Sequence, residues 1–348
     1  MTSFSSGTEP VVQPRVSVIV PVYNRAAQLE RLLAALSRQT LAKECFEILV
    51  CDDGSRDDVA AVVGRYRQNC GLDVRHLSQP NRGPGAARNL GLAEARGPLL
   101  GFTDSDCEPA EDWLEAIVAA FESDEGALIG GCIEFRRAEH LSGRCVNFLM
   151  SSSLGGGGAR NPRARMSMKY YPRTCNMAVR TAVARDAGGF PHRRYGEDIA
   201  FSHAVLQTGA RIAYVPSLRV VHNERRSLAE VFRESWRKGD ARVRLARHHG
   251  LHELIHALPG LFCLYLVIAT LAIAVRPDLV LIASVPAALY GVVLAILAIQ
   301  AGWTLRSPVA AVAVPMYAAA MHLGYGLGYW AAWIASIRSP RSTDALDR

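Results

Sequence analysis

Apolar and polar positions change rhythm along the chain. Residues 15–25, RVSVIVPVYNR, form a nearly unbroken β-branched run closed by proline and asparagine, which predicts a buried strand opening into a loop. Residues 26–38 then place Leu29, Leu32, Leu33 and Leu36 at helical spacing. The strand signal returns in FEILVCDDGS (46–55), LDVRHLSQ (72–79) and PLLGFTDSD (98–106), with helical stretches at 57–66 and 85–96 between them. Four alternations with short links predict a largely parallel sheet covered by helices on both faces. An amphipathic helix at 111–123 and a strand at 126–137 follow. Residues 143–173 include SSSLGGGGARNPRAR, a glycine-rich and basic stretch that reads as a loop, either a lid over a crevice or a plain linker.

From residue 254 the alternation gives way to three long apolar runs, at 254–275, 279–301 and 309–335. Between 254 and 337 the only Asp, Glu, Lys or Arg residues are Arg276, Asp278 and Arg306, in the breaks between runs. Each run is long enough to cross a bilayer. Pro259 and Gly260 place the start of the first at the interface, and the glycines, alanines and aromatic residues of the third suit a packed or interfacial helix. Ahead of them, residues 227–249 gather Leu228, Val231, Phe232, Trp236 and Val243 near one helical face ringed by arginines, the pattern of a basic helix lying on a membrane surface. The expected organisation is therefore a tail at 1–15, an α/β domain at 16–226, an interfacial region at 227–253, a membrane region of two or three spans at 254–337 and a tail at 338–348.

Charge and cysteine content sharpen this picture. The formal net charge is +7, and eight cysteines without a CxxC pair read as reduced thiols. The N-terminal stretch has no apolar core of signal-peptide length, so the α/β domain is expected on the cytosolic side of a multi-pass cell-membrane protein. Arg237, Lys238, Arg242, Arg244 and Arg247 ahead of the first run agree with the positive-inside rule. Three full spans would put Arg338, Arg341 and Arg348 on the outer side, against the same rule.

The chemistry concentrates at predicted strand ends, where ligands of such sheets bind. Tyr23 and Asn24 follow the first strand, Asp52 and Asp53 the second, and Asp104, Ser105 and Asp106 the fourth. Two carboxylates two residues apart repel unless something positive lies between them, and a hard divalent cation, Mg²⁺ or Mn²⁺, meets that need with oxygen ligands. The Asp52-Asp53 pair suits hydrogen bonding to a nucleoside, although a helix-capping role fits one of the two as well. NRGPGAARN (81–89) sets Arg82 and Arg88 at a glycine-rich loop-to-helix junction, where backbone N–H groups and guanidinium groups could hold a diphosphate. It is neither a Walker sequence nor GxGxxG, so kinase and dehydrogenase readings gain no support. Asp198 follows Gly196 at the expected N-terminus of a helix over 199–207, where the helix dipole favours a carboxylate.

VSVIVPVYN, EILVCDDGS, NRGPGAARNLG, FTDSD, CNMAVRTAVARDAGGF and YGEDIAFSHAVLQTG occur in this order. With them, residues 16–222 resemble the family 2 glycosyltransferases of the GT-A fold. The resemblance implies a mixed, mainly parallel Rossmann-like sheet. It implies that Pro21, Tyr23, Asn24, Asp52, Asp53, Arg82 and Arg88 lie toward the donor nucleotide, together with Asp104 and Ser105. It further implies that Asp104 and Asp106 hold a metal and the diphosphate, with His222 as a further metal ligand, and that Glu197-Asp198 is the catalytic-base motif with Asp198 the base. Processive relatives carry Gln-x-x-Arg-Trp near the membrane. Here FRESWRKG (232–239) retains Trp236, beside Arg237 on the expected acceptor side, without the glutamine or the arginine in register. Transfer of one sugar from a UDP-sugar to a lipid or lipid-linked glycan, inverting the anomeric centre, is thus expected, and nucleic acid is not among the expected partners. The alternatives are a polyprenyl-phosphate sugar synthase and a non-catalytic membrane protein that senses nucleotide.

Overall fold

The computed structural model of the chain describes residues 13–135, 141–156, 170–191, 196–222, 227–251 and 254–338. It divides into two compact units: residues 1–134 with 171–222, and residues 135–170 with 223–348. The first unit ends at residue 222. Residues 135–170, which sequence places inside the α/β domain, instead group with the C-terminal helices.

In the first unit the four strand signals become strands β1 (Val16–Val22), β2 (Phe46–Asp52), β3 (Val74–Ser78) and β4 (Leu99–Phe102), paired in parallel in the order β3-β2-β1-β4. The helical-period stretches become α1 (Ala26–Leu36), α2 (Val59–Cys70) and α3 (Pro84–Glu94). The sheet continues past β4 through β5 (Cys107–Pro109), β6 (Leu128–Phe135), β7 (Met177–Arg180) and β8 (Ile212–His222), in the order β4-β7-β6-β8-β5. β7 runs antiparallel to β4 and β6, and β5 antiparallel to β8, so the sheet is mixed. Helix α4 (Trp113–Glu122) buries Trp113, Leu114, Ile117 and Phe121. The expected mainly parallel sheet is present in its first half. The short β5 and β7 carry little periodic signal of their own, and pairing with longer neighbours defines them.

The middle of β1, β2 and β4 is fully buried on both faces, as expected of parallel strands between helical layers. One polar cluster interrupts the apolar interior at the start of β1 and β2. Glu47 is completely buried, opposite Ser17 in register, and accepts hydrogen bonds from Ser17 Oγ (2.7 Å) and from Arg96 N (2.8 Å) and Nε (2.9 Å). Arg75 lies 3.4 Å from the same carboxylate. The buried charge is thus paired and hydrogen-bonded, the condition on which such burial is tolerated.

The second unit is helical. Part of the expected loop at 143–173 is instead α5 (Leu141–Ser151) and α6 (Ser153–Gly156), because Cys145, Val146 and Leu149 recur at helical spacing and are buried. Residues 157–169 of that stretch lie outside the described residues, as do the tails at 1–12 and 339–348. After α7 (Thr181–Asp186) and α8 (Glu197–Gln207) of the first unit, helix α9 (Leu228–His249) opens with a capping box between Ser227 and Glu230. Three helices follow α9: α10 (Leu258–Val275), α11 (Val280–Leu305) and α12 (Pro308–Arg338). All three are long and apolar enough to cross a membrane. The first starts at Leu258 and not at 254, with Pro259 in its first turn, where a missing N–H costs nothing.

α9 does not present its apolar stripe freely. Its backbone packs directly on α12. A Cβ added at Gly324 would meet Phe232 O at 2.5 Å, one at Gly328 would meet Trp236 O at 2.0 Å, and one at Gly239 would meet Tyr325 O at 2.1 Å. Small residues four apart on one helix are what such close backbone contact needs.

Candidate active site

Three parallel strands deliver their carboxyl ends to one edge of the sheet. β1 and β2 are in register with Val22 opposite Asp52, so Tyr23-Asn24 and Asp52-Asp53 emerge side by side. The two loops are stitched together: Asn24 N donates to Ser55 Oγ (2.9 Å), Arg56 N to Asn24 Oδ1 (2.8 Å) and Ala26 N to Asp57 Oδ2 (2.7 Å). Asn24 takes φ of 52°, the left-handed region that asparagine tolerates better than most residues. Pro21 is half-buried beside Cys51, whereas the Tyr23 ring stands 45% exposed at the lip.

The two adjacent aspartates do different work. Asp52, buried at the end of β2, accepts from Ser55 N (2.8 Å) and contacts His76 Nε2 (3.1 Å). Asp53 accepts three hydrogen bonds: Oδ1 from Arg82 N and Gln79 Nε2, and Oδ2 from Gly83 N, each at 2.8 Å. It therefore fastens the loop that leads into α3. Gly54, at φ 80°, lets the same loop close, since a Cβ there would lie 3.1 Å from Asn81 N. Arg82 itself points outward.

The Asp104-Ser105-Asp106 turn answers the charge question raised by its sequence with two arginines from different elements. Arg25, preceding α1, pairs with Asp106. Arg88, in α3, donates through Nη2 to Asp104 Oδ1 at 2.8 Å and through Nη1 to Glu197 Oε1 at 3.3 Å. Arg88 is almost wholly buried and sits 5.6 Å from the centroid of the Phe190 ring, itself part of a cluster with Phe102 and Phe201. Burial opposes its charge, but the carboxylates of Asp104 and Glu197 outweigh that and hold the guanidinium more firmly protonated than usual. The residue that sequence assigns to the diphosphate is thus also the link between Asp104 and the Glu197-Asp198 motif.

Glu197 and Asp198 open α8 after Gly196, whose φ of 76° turns the chain into the helix. Burial pushes the Glu197 carboxyl from 4.5 up to about 7, with Arg88 pulling down and Asp198 pushing up. Asp198 is half-buried, and its Oδ1 accepts from Ile199 N at 2.9 Å.

His222 reaches the site through strand pairing. It is the last residue of β8 and lies opposite Cys107 at the start of β5, which sets its Nε2 3.5 Å from Asp106 Oδ1. Asp106, Cys107 and His222 bring one ligand atom each to within 4.8 Å of one another. The Asp106 carboxylate is a ligand that Mg²⁺ and Mn²⁺ both take, whereas the His222 imidazole is a ligand for Mn²⁺ more than for Mg²⁺, which prefers oxygen alone, so of the two expected ions the pair fits Mn²⁺. Burial pushes the Cys107 thiol well above its usual value. Of the expected metal group, Asp106 and His222 are brought together, while Asp104 faces Arg88. Ser105, between the two aspartates in sequence, is buried.

Sequence reasoning missed Arg25 and Cys107. Arg25 is the arginine closing the VPVYNR run, and its proximity to Asp106 depends on how α1 leaves the sheet. Cys107 adjoins Asp106 in sequence but joins His222 only through β5–β8 pairing. Trp236 and Arg237 lie in the second unit, on α9, with Trp236 38% exposed and its backbone against α12.

The chain is similar to known proteins. The chain matches the family described as "Glycosyl transferase family 2" over residues 17–185, and "Glycosyl transferase family group 2" over residues 102–332. It is 28% identical over 238 residues to the glycosyltransferase AglE of Haloferax volcanii, covering 67% of this chain and 74% of that protein. It is 31% identical over 238 residues to the pre-mycofactocin glycosyltransferase of Mycobacterium tuberculosis, covering 67% of this chain and 48% of that protein, so the match spans about half of that relative. Among solved structures, the mannosyltransferase PcManGT from Pyrobaculum calidifontis, in complex with GDP-Man and Mn²⁺, shares the fold with a TM-score of 0.59 at 21% identity, over 93% of this chain and 90% of that one.

Proposed function

The chain belongs to glycosyl transferase family 2, and from that membership we propose that it is a membrane-anchored, metal-dependent, inverting enzyme that moves one sugar from a UDP-sugar to a lipid or lipid-linked acceptor at the cytosolic face. The observation that carries the reading is the charge network at the sheet edge: Asp104, Glu197 and Asp198 around buried Arg88, with Asp106 and His222 beside it.

The roles follow from the environment of each group. Tyr23 offers an exposed ring on which a nucleobase stacks, and the Asp52-Asp53 loop, held by Ser55, Gln79 and Gly83, forms the wall beside it. Asp106 and His222 would hold the divalent cation. When bound, it supplies positive charge against the diphosphate that develops as the sugar departs. Asp198 takes the proton from the acceptor hydroxyl on the opposite face of the sugar, and in-line attack inverts the anomeric centre. Arg88 keeps Asp104 and Glu197 fixed relative to each other. The acceptor is lipidic because three helices suited to a bilayer adjoin the catalytic unit in the chain.

The test is release of nucleoside diphosphate by the purified full chain in lipid nanodiscs with Mn²⁺. The panel sets UDP-sugars beside GDP-mannose as a comparison, since the PcManGT structure carries GDP-Man. A UDP-sugar is expected to turn over, Asp198→Asn to abolish turnover while retaining nucleotide binding, and chelation by EDTA to stop the reaction. Full activity of Asp198→Asn would remove the mechanism, and preference for GDP-mannose would replace the donor.

A further inference from the structure

Asp106 divides its carboxylate between two sides. Oδ2 pairs with Arg25, while Oδ1 turns to His222 Nε2 at 3.5 Å and to Cys107 Sγ at 3.8 Å. Strand pairing fixes the other two donors. Cys107 opens β5 directly opposite His222 at the end of β8, and residues so opposed in an antiparallel pair present their side chains on one face. Among the described residues, no other three His, Cys, Asp or Glu side chains gather their ligand atoms as closely.

The spacing is that of ligands around a tetrahedral ion. Zinc bonds of about 2.0–2.2 Å to N and O and about 2.3 Å to S set an O and an N ligand about 3.4 Å apart, and an O and an S ligand about 3.6 Å apart. The separations here, 3.5 Å and 3.8 Å, lie within about 0.2 Å of those values. Carboxylate, imidazole and thiol are all zinc donors, and the thiol is the one that Mg²⁺ and Mn²⁺ do not seek.

Cys107 is buried, whereas Asp106 and His222 keep 18% and 13% of their side chains exposed, which leaves an approach for the ion from their side. Coordination replaces the S–H bond of Cys107 by an S–metal bond, and the proton leaves to solvent. Affinity for a site of N, O and S donors rises from Mn²⁺ toward Zn²⁺, and a thiolate widens that gap. Three protein ligands leave a tetrahedral ion one open position. A donor diphosphate then finds a single place on the ion, where the octahedral shell of Mn²⁺ offers several.

We propose that Asp106, Cys107 and His222 form a zinc site, and that Zn²⁺ held there excludes the catalytic cation, so that zinc inhibits the enzyme through Cys107. The exclusion rests on the metal-dependent transfer proposed above, because the two ions share Asp106 and His222. The zinc site itself stands on the geometry of the three side chains alone.

The test starts without any nucleotide-sugar. The full chain in lipid nanodiscs, free of histidine tags and stripped of metal, is titrated with Co²⁺ as a coloured stand-in for Zn²⁺. A thiolate-to-cobalt charge-transfer band is expected, saturating at one equivalent and abolished by one equivalent of Zn²⁺. Cys107→Ser should lose the band, and Cys175→Ser, which alters the thiol beside Cys107, should keep it. X-ray absorption at the zinc edge of the wild type needs no substitution and should show one sulfur at about 2.3 Å. A zinc shell without sulfur, or a band that survives Cys107→Ser, overturns the site. In Mn²⁺-supported turnover, Zn²⁺ should inhibit and added Mn²⁺ should restore the rate. Cys107→Ser should then need more than about tenfold as much Zn²⁺, since even groups that only support a ligand are worth about 10–100-fold in affinity. Equal sensitivity of variant and wild type overturns the exclusion. Turnover that EDTA leaves intact removes the metal-dependent reaction and the exclusion with it, while the sulfur signal still decides the zinc site.

Discussion

Glu197→Gln isolates the cost of an ionised carboxylate inside the active-site network. In the folded chain burial raises the Glu197 carboxyl to about 7, whereas in the unfolded chain it returns to its ordinary 4.5. Between these values the folded state holds a proton that the unfolded state releases, so stability falls as pH rises through this window. Below pH 4.5 the group is neutral in both states and adds no penalty; above pH 7 it is ionised in both and the penalty is complete. At ~1.4 kcal/mol per pH unit, the gap from 4.5 to about 7 amounts to about 3 kcal/mol. The substituted amide mimics the neutral acid at every pH. The variant is therefore expected to match the wild type at about pH 4 and to exceed it by up to about 3 kcal/mol at about pH 8. Hydrogen exchange of peptides from β1, β2 and β4, read by mass spectrometry at both pH values, measures this directly because those strands are fully buried. A difference that does not change between the two pH values, or a variant less stable than wild type at the higher one, refutes the reasoning.

Three more outcomes follow from contacts described above. Arg88→Met leaves Asp104 and Glu197 facing each other without a cation, at a cost of about 3–5 kcal/mol for a fully buried pair and toward the lower end here because Asp104 is 30% exposed; thermal melting should show the loss at about pH 8 and a smaller one at about pH 5.5, where Glu197 takes a proton. Tyr23→Ala should leave the melting temperature unchanged, because the ring is 45% exposed, while weakening donor binding by about 1–3 kcal/mol, the worth of one base stacked on an aromatic ring, read as a rise in KM for the nucleotide-sugar. Gly328→Leu sets a side chain where a Cβ already lies 2.0 Å from Trp236 O, so α9 must leave α12; the destabilisation exceeds the ~1–3 kcal/mol of ordinary overpacking, and size-exclusion chromatography in detergent should show loss of the monodisperse peak.

The parts of the fold that were legible in sequence are those that carry their own periodicity. β1 and β2 announce themselves by runs rich in β-branched residues, β4 by a short apolar run, and α1 by leucines at helical spacing, because each is buried on the pattern that defines it. β7 is four residues long and β5 three, and both exist through pairing with β4 and β8, a relation that no local window contains. The same distinction governs the site. Tyr23, Asp52, Asp53, Asp104 and Asp106 stand at strand ends, and strand ends are readable. That Asp53 spends its carboxylate on a loop, that Arg88 is buried between Asp104 and Glu197, and that Arg25 neutralises Asp106 depend on how helices approach the sheet. The stretch from 143 onward shows the reverse error: glycine and arginine content concealed the short apolar period of α5, and its packing among the C-terminal helices could not be inferred from composition.

Glu47 lies at the opposite end of β2 from Asp52 and Asp53 of the candidate site. A strand displaced by one position against its neighbour turns every side chain to the other face. For β2 that would drive an acid now clasped by Ser17 and Arg96 into the aliphatic interior and strand its partners. The acid therefore acts as a keyed peg that forbids misalignment of β1 and β2, and the heights at which Tyr23 and Asp52 surface are decided at the far end of the same two strands, in a place no substrate visits. Attempts to alter donor preference by exchanging whole strands would succeed only where this distant key travels with them.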